Sequence, residues 1–559
     1  GTTSLVYDGN GNVTQTTDAR GDTISYTYDA LNRKTGEYDS AVGSQSSSNE
    51  LASWTYDNSN NAVPGMSDPI GHLTAETAYW GGSAYTEQQT GFNVFGESLG
   101  ETVTIPSSEG ALAGSYTFTH TYTGTTGLPL KDIYPAAGGL PAETVLHGYG
   151  TVFDLPTTLG GLSGYAEGTT YDAYSRANQE TLGSSPDLAY ITNTFDPHTG
   201  LLTDELVTRA VATPADVDEE SYTYDPAGNI TSQTDTRLGS SASSETQCYV
   251  YDQLDRLTAA WTATDDCASQ PSSSNSSMVG DNLAASSAYW TTWTFDAVGN
   301  RTSQVQHSTT GGTDTTTDYG YNGNGDGQPE TLTGSNTTGA STSSTSYSYD
   351  AAGNMTGRDA GQGNQTLTWN DAGLLTKVSG STGGDSSFVY DADGNLLLEK
   401  DPGATTLYLP NEQITLNTGN GTTSGVRYYQ LPGGGLAYRT GTGTNYGFEI
   451  TDQQGTPDLL LDNTAQDPTW RQFTPYGAPR GPAVTWIDNH AYLNKVTDAN
   501  TGLTVIGARE YDPTTGRFIS LDPILETGSP QQLNGYTYAA DNPVTQTDPS
   551  GLMLCADDI

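Results

Sequence analysis

The sequence predicts an all-β protein whose repeated hairpins form a hollow, thin-walled structure. Alternating segments such as SYTYD recur along the chain, and each places aromatic side chains on one face at period two. The 559 residues exceed the size at which a single hydrophobic core keeps growing, yet only 33% of them are hydrophobic. A wall needs only a narrow apolar layer, so a shell fits this composition. The 35 tyrosines argue against a disordered chain.

Each repeat begins with an alternating strand that ends in Tyr-Asp. Two variable residues follow, then Gly-Asn or Asp-Arg, and then a second alternating strand. The aspartate is expected to cap the turn through its side chain. Gly supplies the positive φ that a tight hairpin needs, and Asn tolerates it. Irregular spacing between copies indicates frequent inserts. The clearest copies are SYTYDPAGNITSQTD from Ser221, VYDQLDRLTAAW from Val250, WTFDAVGNRTSQ from Trp293, SYSYDAAGNMTGR from Ser346 and FVYDADGNLLLEK from Phe388.

These repeats resemble the tyrosine-aspartate (YD) repeats of the rearrangement hotspot (RHS) family, as found in the toxin-encapsulating components of insecticidal Tc complexes and in teneurin-like shells. The resemblance implies that the hairpins spiral into one long sheet that closes as a hollow shell, a β-cocoon, because one repeat cannot bury its own face. It implies a YD-repeat shell over 1–444, a plugging RHS repeat-associated core domain over 445–552, and the start of a variable C-terminal payload at 553–559. The chain opens in mid-pattern at LVYDGNGN, so we expect a truncated N-terminal part.

The C-terminal part carries the more specific resemblance. The segments LNKVTDANTGLTVIGAREYDPTTGRFISLDP and NGYTYAADNPVTQTDPSGL closely match the RHS core domain. Four positions depart from the family pattern. They are Gln453, where His is usual, Asp458, where Arg is frequent, Glu510, where an aromatic residue is usual, and Asp541, where Asn is usual.

The formal net charge of −46 argues against nucleic acid and anionic membranes as partners, because both bind clustered Lys and Arg. Such a charge suits a soluble chain in an exposed setting. No stretch approaches the roughly 18 consecutive apolar residues of a membrane-spanning helix. No signal peptide is visible.

The sequence contains no local metal-binding motif, since its six histidines are scattered and it has no CxxC. Residues 391–395 and 322–327 resemble fragments of calcium loops, but neither has the glutamate that closes such a loop, so both are predicted to be turns. No metal and no cofactor are therefore predicted. The spacing of Cys248 and Cys267 is compatible with a disulfide and equally with free thiols.

Three Asp-Pro pairs, Asp512-Pro513, Asp522-Pro523 and Asp548-Pro549, lie between Val505 and Met553. Proline holds each aspartate on a stiff turn. Two carboxylates held close together provide an acid and a base for adding water to an amide, and Arg509 could orient one of them or stabilise the oxyanion. Two simpler interpretations stay open: the aspartates only start turns, or Arg509 only pairs with Glu510 or Asp512.

The family gives these residues a more definite role. Its core domain resembles an intramolecular aspartyl protease that releases the C-terminal payload inside the shell. The resemblance therefore implies that Arg509, Asp522 and Asp548 converge and catalyse cleavage. It places the cut after the Gly-Leu pair, between Leu552 and Met553.

Three functions are compatible with these features. The first is a secreted or surface-displayed bacterial shell that encloses its own C-terminal polypeptide, a toxin or other effector, and frees it by a single self-cleavage; a delivery machine would be a further partner. The second is a wall-associated structural protein that binds surface glycans without proteolysis. The third is a calcium-dependent adhesin, against which the incomplete calcium loops argue.

Overall fold

The computed structural model describes residues 1–210, 215–237, 243–283, 287–321, 327–463, 467–525 and 530–552. Most of the predicted turn at 322–327 lies outside these ranges. The helices within them are four short 3₁₀ helices, Ser107–Leu112, Tyr492–Asn494, Pro530–Leu533 and Ala539–Asp541. Over the described ranges, no helix has the length and apolar character that a membrane crossing requires.

The remaining secondary structure is β-strand. The first part of the chain contains β1 (Ser4–Tyr7), β2 (Val13–Thr17), β3 (Thr23–Tyr28), β4 (Lys34–Asp39), β5 (Glu50–Tyr56), β6 (Leu73–Trp80), β7 (Ser83–Gln89), β8 (Gly100–Ile105), β9 (Gly114–Tyr122), β10 (Pro129–Tyr134), β11 (Glu143–Tyr149), β12 (Pro156–Gly160), β13 (Gly164–Tyr171), β14 (Ala177–Leu182), β15 (Ala189–Phe195) and β16 (Leu202–Arg209).

The middle part contains β17 (Asp216–Tyr224), β18 (Ile230–Arg237), β19 (Ser243–Tyr251), β20 (Leu257–Ala263), β21 (Trp290–Phe295), β22 (Arg301–Gln306), β23 (Thr315–Gly320), β24 (Gly334–Gly339), β25 (Ser343–Tyr349), β26 (Met355–Ala360), β27 (Gly363–Trp369), β28 (Leu375–Ser379), β29 (Ser386–Tyr390) and β30 (Leu396–Asp401).

The last part contains β31 (Ala404–Leu409), β32 (Glu412–Asn417), β33 (Thr423–Gln430), β34 (Leu436–Arg439), β35 (Tyr446–Thr451), β36 (Pro457–Asp462), β37 (Pro468–Trp470), β38 (Gln472–Phe473), β39 (Pro479–Arg480), β40 (Thr497–Asp498), β41 (Leu503–Ile506), β42 (Arg509–Asp512) and β43 (Arg517–Phe518).

Strands β1 to β37 form one continuous antiparallel sheet of 37 strands, in which each strand pairs with the next along the chain. Hairpins therefore follow one another as an unbroken meander, as the repeat pattern predicts. The all-β fold is confirmed. The sheet continues past residue 444 to Trp470, and the division of the chain at 444/445 stays a prediction.

The Tyr-Asp turn is built from side-chain hydrogen bonds made by the aspartate. In the copy after β17, Asp225 Oδ1 accepts the backbone N–H groups of Ala227 at 2.8 Å and Asn229 at 3.0 Å, while its Oδ2 accepts the Asn229 amide at 3.0 Å. Gly228 takes φ 93°, which an L side chain rarely adopts. A β-bulge between Thr223 and Tyr224 sets the start of this turn.

The repeated tyrosine is explained by its hydroxyl. Tyr251 donates to the carbonyl of Ile230 at 2.7 Å, and Ile230 is the first residue of the preceding hairpin's second strand. The same bond joins Tyr28 to Val13, also at 2.7 Å. Each hydroxyl thus ties one turn to the preceding one, which stabilises the stacking of repeats.

The largest apolar core lies where two distant stretches of the sheet pack against each other. Buried residues of β7–β17, such as Phe118 and Val145, meet buried residues of β29–β36, such as Leu407 and Phe448. A separate apolar cluster contains Cys248 and Cys267, which form a disulfide.

The segment after β37 packs on the repeat wall and contacts the repeat turns directly. Asn542 donates to the Asn229 side chain at 2.9 Å, and Tyr536 donates to the Gly353 carbonyl at 2.6 Å. Apolar contacts join Tyr476 to the wall near Trp293. We call residues 471–552 the C-terminal module.

Candidate functional site

Arg509 is the centre of the candidate site and lies at the start of β42. Its side chain is buried and packs over the ring of Phe518, with 3.6 Å between the guanidinium carbon and the ring centre. Its Nη1 donates to the Gly535 carbonyl at 2.8 Å, and its Nε donates to the Gly551 carbonyl. Arg509 is thus held by the backbone on both sides, and its remaining nitrogen is left for side-chain partners.

That nitrogen, Nη2, bridges the two predicted aspartates. It lies 2.9 Å from Asp522 Oδ2 and 3.2 Å from Asp548 Oδ2. The structure therefore brings together the three side chains that the sequence singled out. The two carboxylates therefore share one guanidinium nitrogen as their ion-pair partner.

Each aspartate is oriented by the turn that its proline creates. Asp522 Oδ1 accepts the Ile524 N–H at 2.8 Å. Asp548 Oδ1 accepts the Leu552 N–H at 3.1 Å, so this carboxylate lies beside the residue after which cleavage is predicted. Met553 lies outside the described residues.

Two glycines allow the Leu552 segment to approach β42. Gly551 has φ 64°, and a Cβ there would lie 2.2 Å from the Ile506 carbonyl oxygen. Gly507 has φ 56°, and a Cβ there would lie 2.0 Å from the Ser550 carbonyl oxygen. Glycine at these two positions is therefore what lets the terminal turn rest against the strand that carries Arg509.

The simpler pairings of Arg509 do not occur. Asp512 forms a buried ion pair of 2.7 Å with Arg358 of β26. Glu510 accepts the Tyr390 hydroxyl at 3.1 Å, and burial raises the pKa of Glu510 to about 7. Both acids next to Arg509 in sequence thus serve contacts between the module and the wall.

Burial and charge oppose each other at this site. Burial lowers the pKa of Arg509, and Asp522 and Asp548 partly offset that effect. The same two effects act on Lys495: burial lowers its pKa, and the charge of Asp548 raises it. Lys495 is a second cation near Asp548 that sequence reasoning left out of the site.

A small cavity opens at the three charged residues and also contacts Leu552. Its lining includes Gln532 and Thr537, which sequence reasoning did not single out. Within the described part of the chain, Gln532 Oε1 and Thr537 Oγ1 are buried without a hydrogen-bond partner. Such polar atoms can hold a water molecule beside the carboxylates.

Two of the residues that depart from the family pattern, Gln453 and Asp458, line a different cavity. Gln453 accepts the Tyr224 hydroxyl at 3.0 Å, and both positions line a polar cavity between β17–β19 and the chain after β35. Burial, together with neighbouring acids such as Glu220 and Asp452, raises the pKa of Asp458 well above its usual range. The residues that line this cavity are different from those that line the cavity at Arg509.

Comparison with known proteins shows which proteins this chain is similar to. The family model described as RHS Repeat matches residues 7–45. The predicted resemblance to RHS-repeat proteins and the predicted shell fold are confirmed.

Particular relatives share parts of the chain. The toxin subunit YenC1 of Yersinia entomophaga is 28% identical over 237 residues, which cover 36% of this chain and 23% of that protein. The tRNA3(Ser)-specific nuclease WapA of Bacillus spizizenii is 30% identical over 214 residues, covering 36% of this chain and 9% of the nuclease. This chain thus matches less than a quarter of the length of these relatives.

Solved structures extend the likeness to almost the whole chain. The TcdB2-TccC3 crystal structure superposes with a TM-score of 0.74 at 19% identity, covering 98% of this chain and 28% of that one. A Tc holotoxin pore from Photorhabdus luminescens gives a TM-score of 0.71 at 18% identity, covering 100% of this chain and 27% of that one. At such identities the likeness establishes the fold.

Proposed function

We propose that this chain is part of an RHS-repeat shell that encloses a C-terminal polypeptide and frees it by cutting its own backbone after Leu552. The reaction is an intramolecular, aspartyl-type hydrolysis. It occurs once per chain, so the protein is a self-processing shell rather than a multiple-turnover enzyme. The supporting observation is the bridge from Arg509 to Asp522 and Asp548, placed beside the Leu552 backbone.

The chemistry needs only water and these side chains. One carboxylate takes a proton from a water molecule, whose oxygen attacks the Leu552 carbonyl carbon. The protonated partner then gives its proton to the nitrogen of Met553 as the carbon–nitrogen bond breaks, leaving a carboxylate on Leu552 and an amine on Met553. Arg509 holds the two acids together and, as a buried cation, offsets the charge that develops.

The wider proposal concerns what is enclosed and where the shell acts. The payload is a toxin or another effector polypeptide that begins at 553, after a shell at 1–444 and a core domain at 445–552. The relatives include a toxin subunit and a nuclease, which supports a payload of this kind. We place the shell outside the bacterial cell or at its surface, where a delivery machine would be its second partner.

The test uses a chain extended past Ile559 by a natural or tagged C-terminal polypeptide. Intact mass measurement under denaturing conditions should find two fragments that divide after Leu552. Asp522→Asn and Asp548→Asn should each slow cleavage by roughly a hundredfold or more, because each removes one of the two proton-transfer groups.

Asp467→Asn is the matched control, since Asp467 is an exposed aspartate that also precedes a proline. It should cleave at the wild-type rate. Unchanged fragments in both site variants would refute the catalytic assignment. An intact wild-type chain would instead favour the non-proteolytic, glycan-binding wall protein.

A further inference from the structure

Two carboxylates of one wall strand meet a third, distant in sequence, where the C-terminal module rests on the wall. Glu399 and Asp401 alternate along β30 and therefore share one face of the sheet. Asp498 belongs to β40 of the module. One oxygen from each of the three carboxylates lies within 4.8 Å of the others.

Two of the three acids in this cluster are buried, and among the described residues none of the three forms an ion pair. Glu399 and Asp498 are 4% and 2% exposed. Lys400 lies between the two wall acids in sequence, but it pairs with Glu109 at 2.8 Å. The three carboxylates thus place like charges within 4.8 Å of one another, two of them out of water. The groups therefore need either protons or a bound cation.

The hydrogen bonds around the cluster orient its oxygens. Asp498 Oδ1 accepts the N–H groups of Asn500 at 2.7 Å and Thr501 at 3.2 Å. Its Oδ2 is buried without a hydrogen-bond partner within the described ranges, which leaves this oxygen to the cluster. Glu399 Oε2 accepts the Tyr408 hydroxyl at 2.7 Å, and Asp401 Oδ1 accepts the Ser386 hydroxyl at 2.5 Å.

A neutral oxygen donor lies next to these acids. Asn489 donates its amide nitrogen to the Tyr408 hydroxyl at 2.7 Å. The Asn489 Oδ1 atom is buried and, among the residues described, has no partner. The surroundings therefore contain two buried, unpartnered oxygens from the module, on Asp498 and Asn489.

We propose that Glu399, Asp401 and Asp498 bind a divalent cation, and that calcium is the ion. All the donor atoms of the cluster are hard oxygens, which calcium prefers. Calcium–oxygen distances of about 2.3–2.6 Å allow three oxygens that lie within 4.8 Å of one another to share one ion. Magnesium demands stricter octahedral geometry and gives up its water reluctantly, so a cluster shared by two strands suits it less.

The ion would fasten the module to the wall. Asn500 donates to the Ser386 hydroxyl at 2.8 Å, and the Thr501 carbonyl accepts Arg358 Nη2 at 2.5 Å. Residues 498–501 are thus already a joint between module and wall. A cation shared by β30 and β40 would add a charged bond to that joint, and its removal should loosen it.

The first experiment measures binding directly in the full chain after dialysis against a chelator. Terbium, a spectroscopic substitute for calcium, should emit when excited through tyrosine, because Tyr408 contacts Glu399. The emission should saturate as terbium is added. Calcium should then displace the terbium and abolish the emission, even with magnesium in excess. Asp498→Asn and Glu399→Gln should weaken binding roughly tenfold or more, since each removes a ligand charge.

Asp318→Asn is the matched control, because it removes the same charge from an exposed strand residue. It should bind as the wild type does. No saturable binding to the wild type, or equal weakening in Asp318→Asn and Asp498→Asn, would overturn the proposal.

A second measurement needs no variant. Thermal unfolding of the wild-type chain should move to higher temperature when calcium replaces chelator, because an ion that binds only the folded state stabilises it. An unchanged unfolding temperature at saturating calcium would mean that protons, rather than a cation, neutralise the cluster.

Discussion

At the scale of single residues, the candidate site depends on backbone contacts as much as on charges. Arg509 binds two carbonyl oxygens and two carboxylates, and one of those carbonyls belongs to Gly551, directly before Leu552. The guanidinium therefore positions the terminal turn and the acids together. Lysine could not replace it, since an ammonium lacks the planar fork that serves several fixed acceptors.

Gly551→Ala should separate the terminal turn from Arg509. The added Cβ would clash with the Ile506 carbonyl and would also occupy a positive φ. We expect cleavage of the extended chain to fall at least about tenfold, because small displacements of reacting groups are costly. A time course on denaturing gels measures it.

Gly421→Ala is the control for this change. Gly421 has φ 73°, and its added Cβ would meet nothing within 4 Å. It should cleave normally and lose only about 1–2 kcal/mol of stability from backbone strain. Equal cleavage in the two alanine variants would show that the close approach at Gly551 is unimportant.

The repeated tyrosine hydroxyl is a second residue-scale feature. Tyr28→Phe removes the hydrogen bond to the Val13 carbonyl and should lower the free energy of unfolding by about 1 kcal/mol. Tyr7→Phe is its control, because Tyr7 is exposed on the edge strand β1. Denaturant unfolding should separate the two variants; equal midpoints would contradict a stabilising role for the hydroxyl.

At the scale of elements, the module is joined to the wall by polar contacts with the repeat strands and turns. The Arg358–Asp512 pair between β26 and β42 is 2.7 Å long, and its side chains are 1% and 5% exposed. Arg358 also donates to the Thr501 carbonyl. One buried arginine thus serves two segments of the module.

Arg358→Met should lower the free energy of unfolding by about 3–5 kcal/mol, because it leaves the Asp512 charge buried and unpaired. Lys377→Met is the control, since Lys377 pairs with Asp385 at a site where both side chains are about half exposed. An exposed pair of this kind contributes at most about 1 kcal/mol. Calorimetry measures both variants, and similar losses would contradict the proposed joint.

At the scale of the whole molecule, the buried acids make stability depend on pH. Burial and neighbouring acids raise the pKa of Glu205 to about 8 and of Asp452 to about 7. A carboxyl whose folded pKa lies above its unfolded value stabilises the fold fully below the unfolded pKa, about 4, and loses that contribution as pH rises through the folded pKa. Stability from these groups therefore falls between about pH 4 and pH 8.

The opposite shift occurs at Asp132, a half-buried acid of β10. Hydrogen bonds from His120 and His147 overcome the effect of burial and lower the pKa of Asp132 to about 2. This group stabilises the fold above its unfolded pKa and loses that contribution as pH falls from about 4 toward 2. The two kinds of acid together place maximum stability in the mildly acidic range.

The unfolding temperature should therefore be higher at about pH 5.5 than at about pH 8.5. Glu205→Gln should reduce that difference, because a neutral amide removes one titrating group. Measurements at constant ionic strength separate this effect from general repulsion in a chain of net charge −46. A higher unfolding temperature at the alkaline pH would contradict the assignment.

Sequence alone determined the turns, because their chemistry is local. In the Asp225 turn the aspartate binds residues two and four positions ahead, so SYTYDPAGN already contains every partner that this turn uses. The alternating strands follow from the same short pattern. The all-β repeat fold could therefore be predicted without coordinates.

Only the tertiary structure decided which distant residues meet. Arg509 and the two aspartates are singled out by motif, but their shared nitrogen contact depends on how β42 and the terminal turn pack through Gly507 and Gly551. Glu399, Asp401 and Asp498 belong to no common motif, so their meeting could not be predicted at all. Spacing along a chain fixes contacts within a hairpin, whereas contacts between remote strands depend on the packing of the whole sheet.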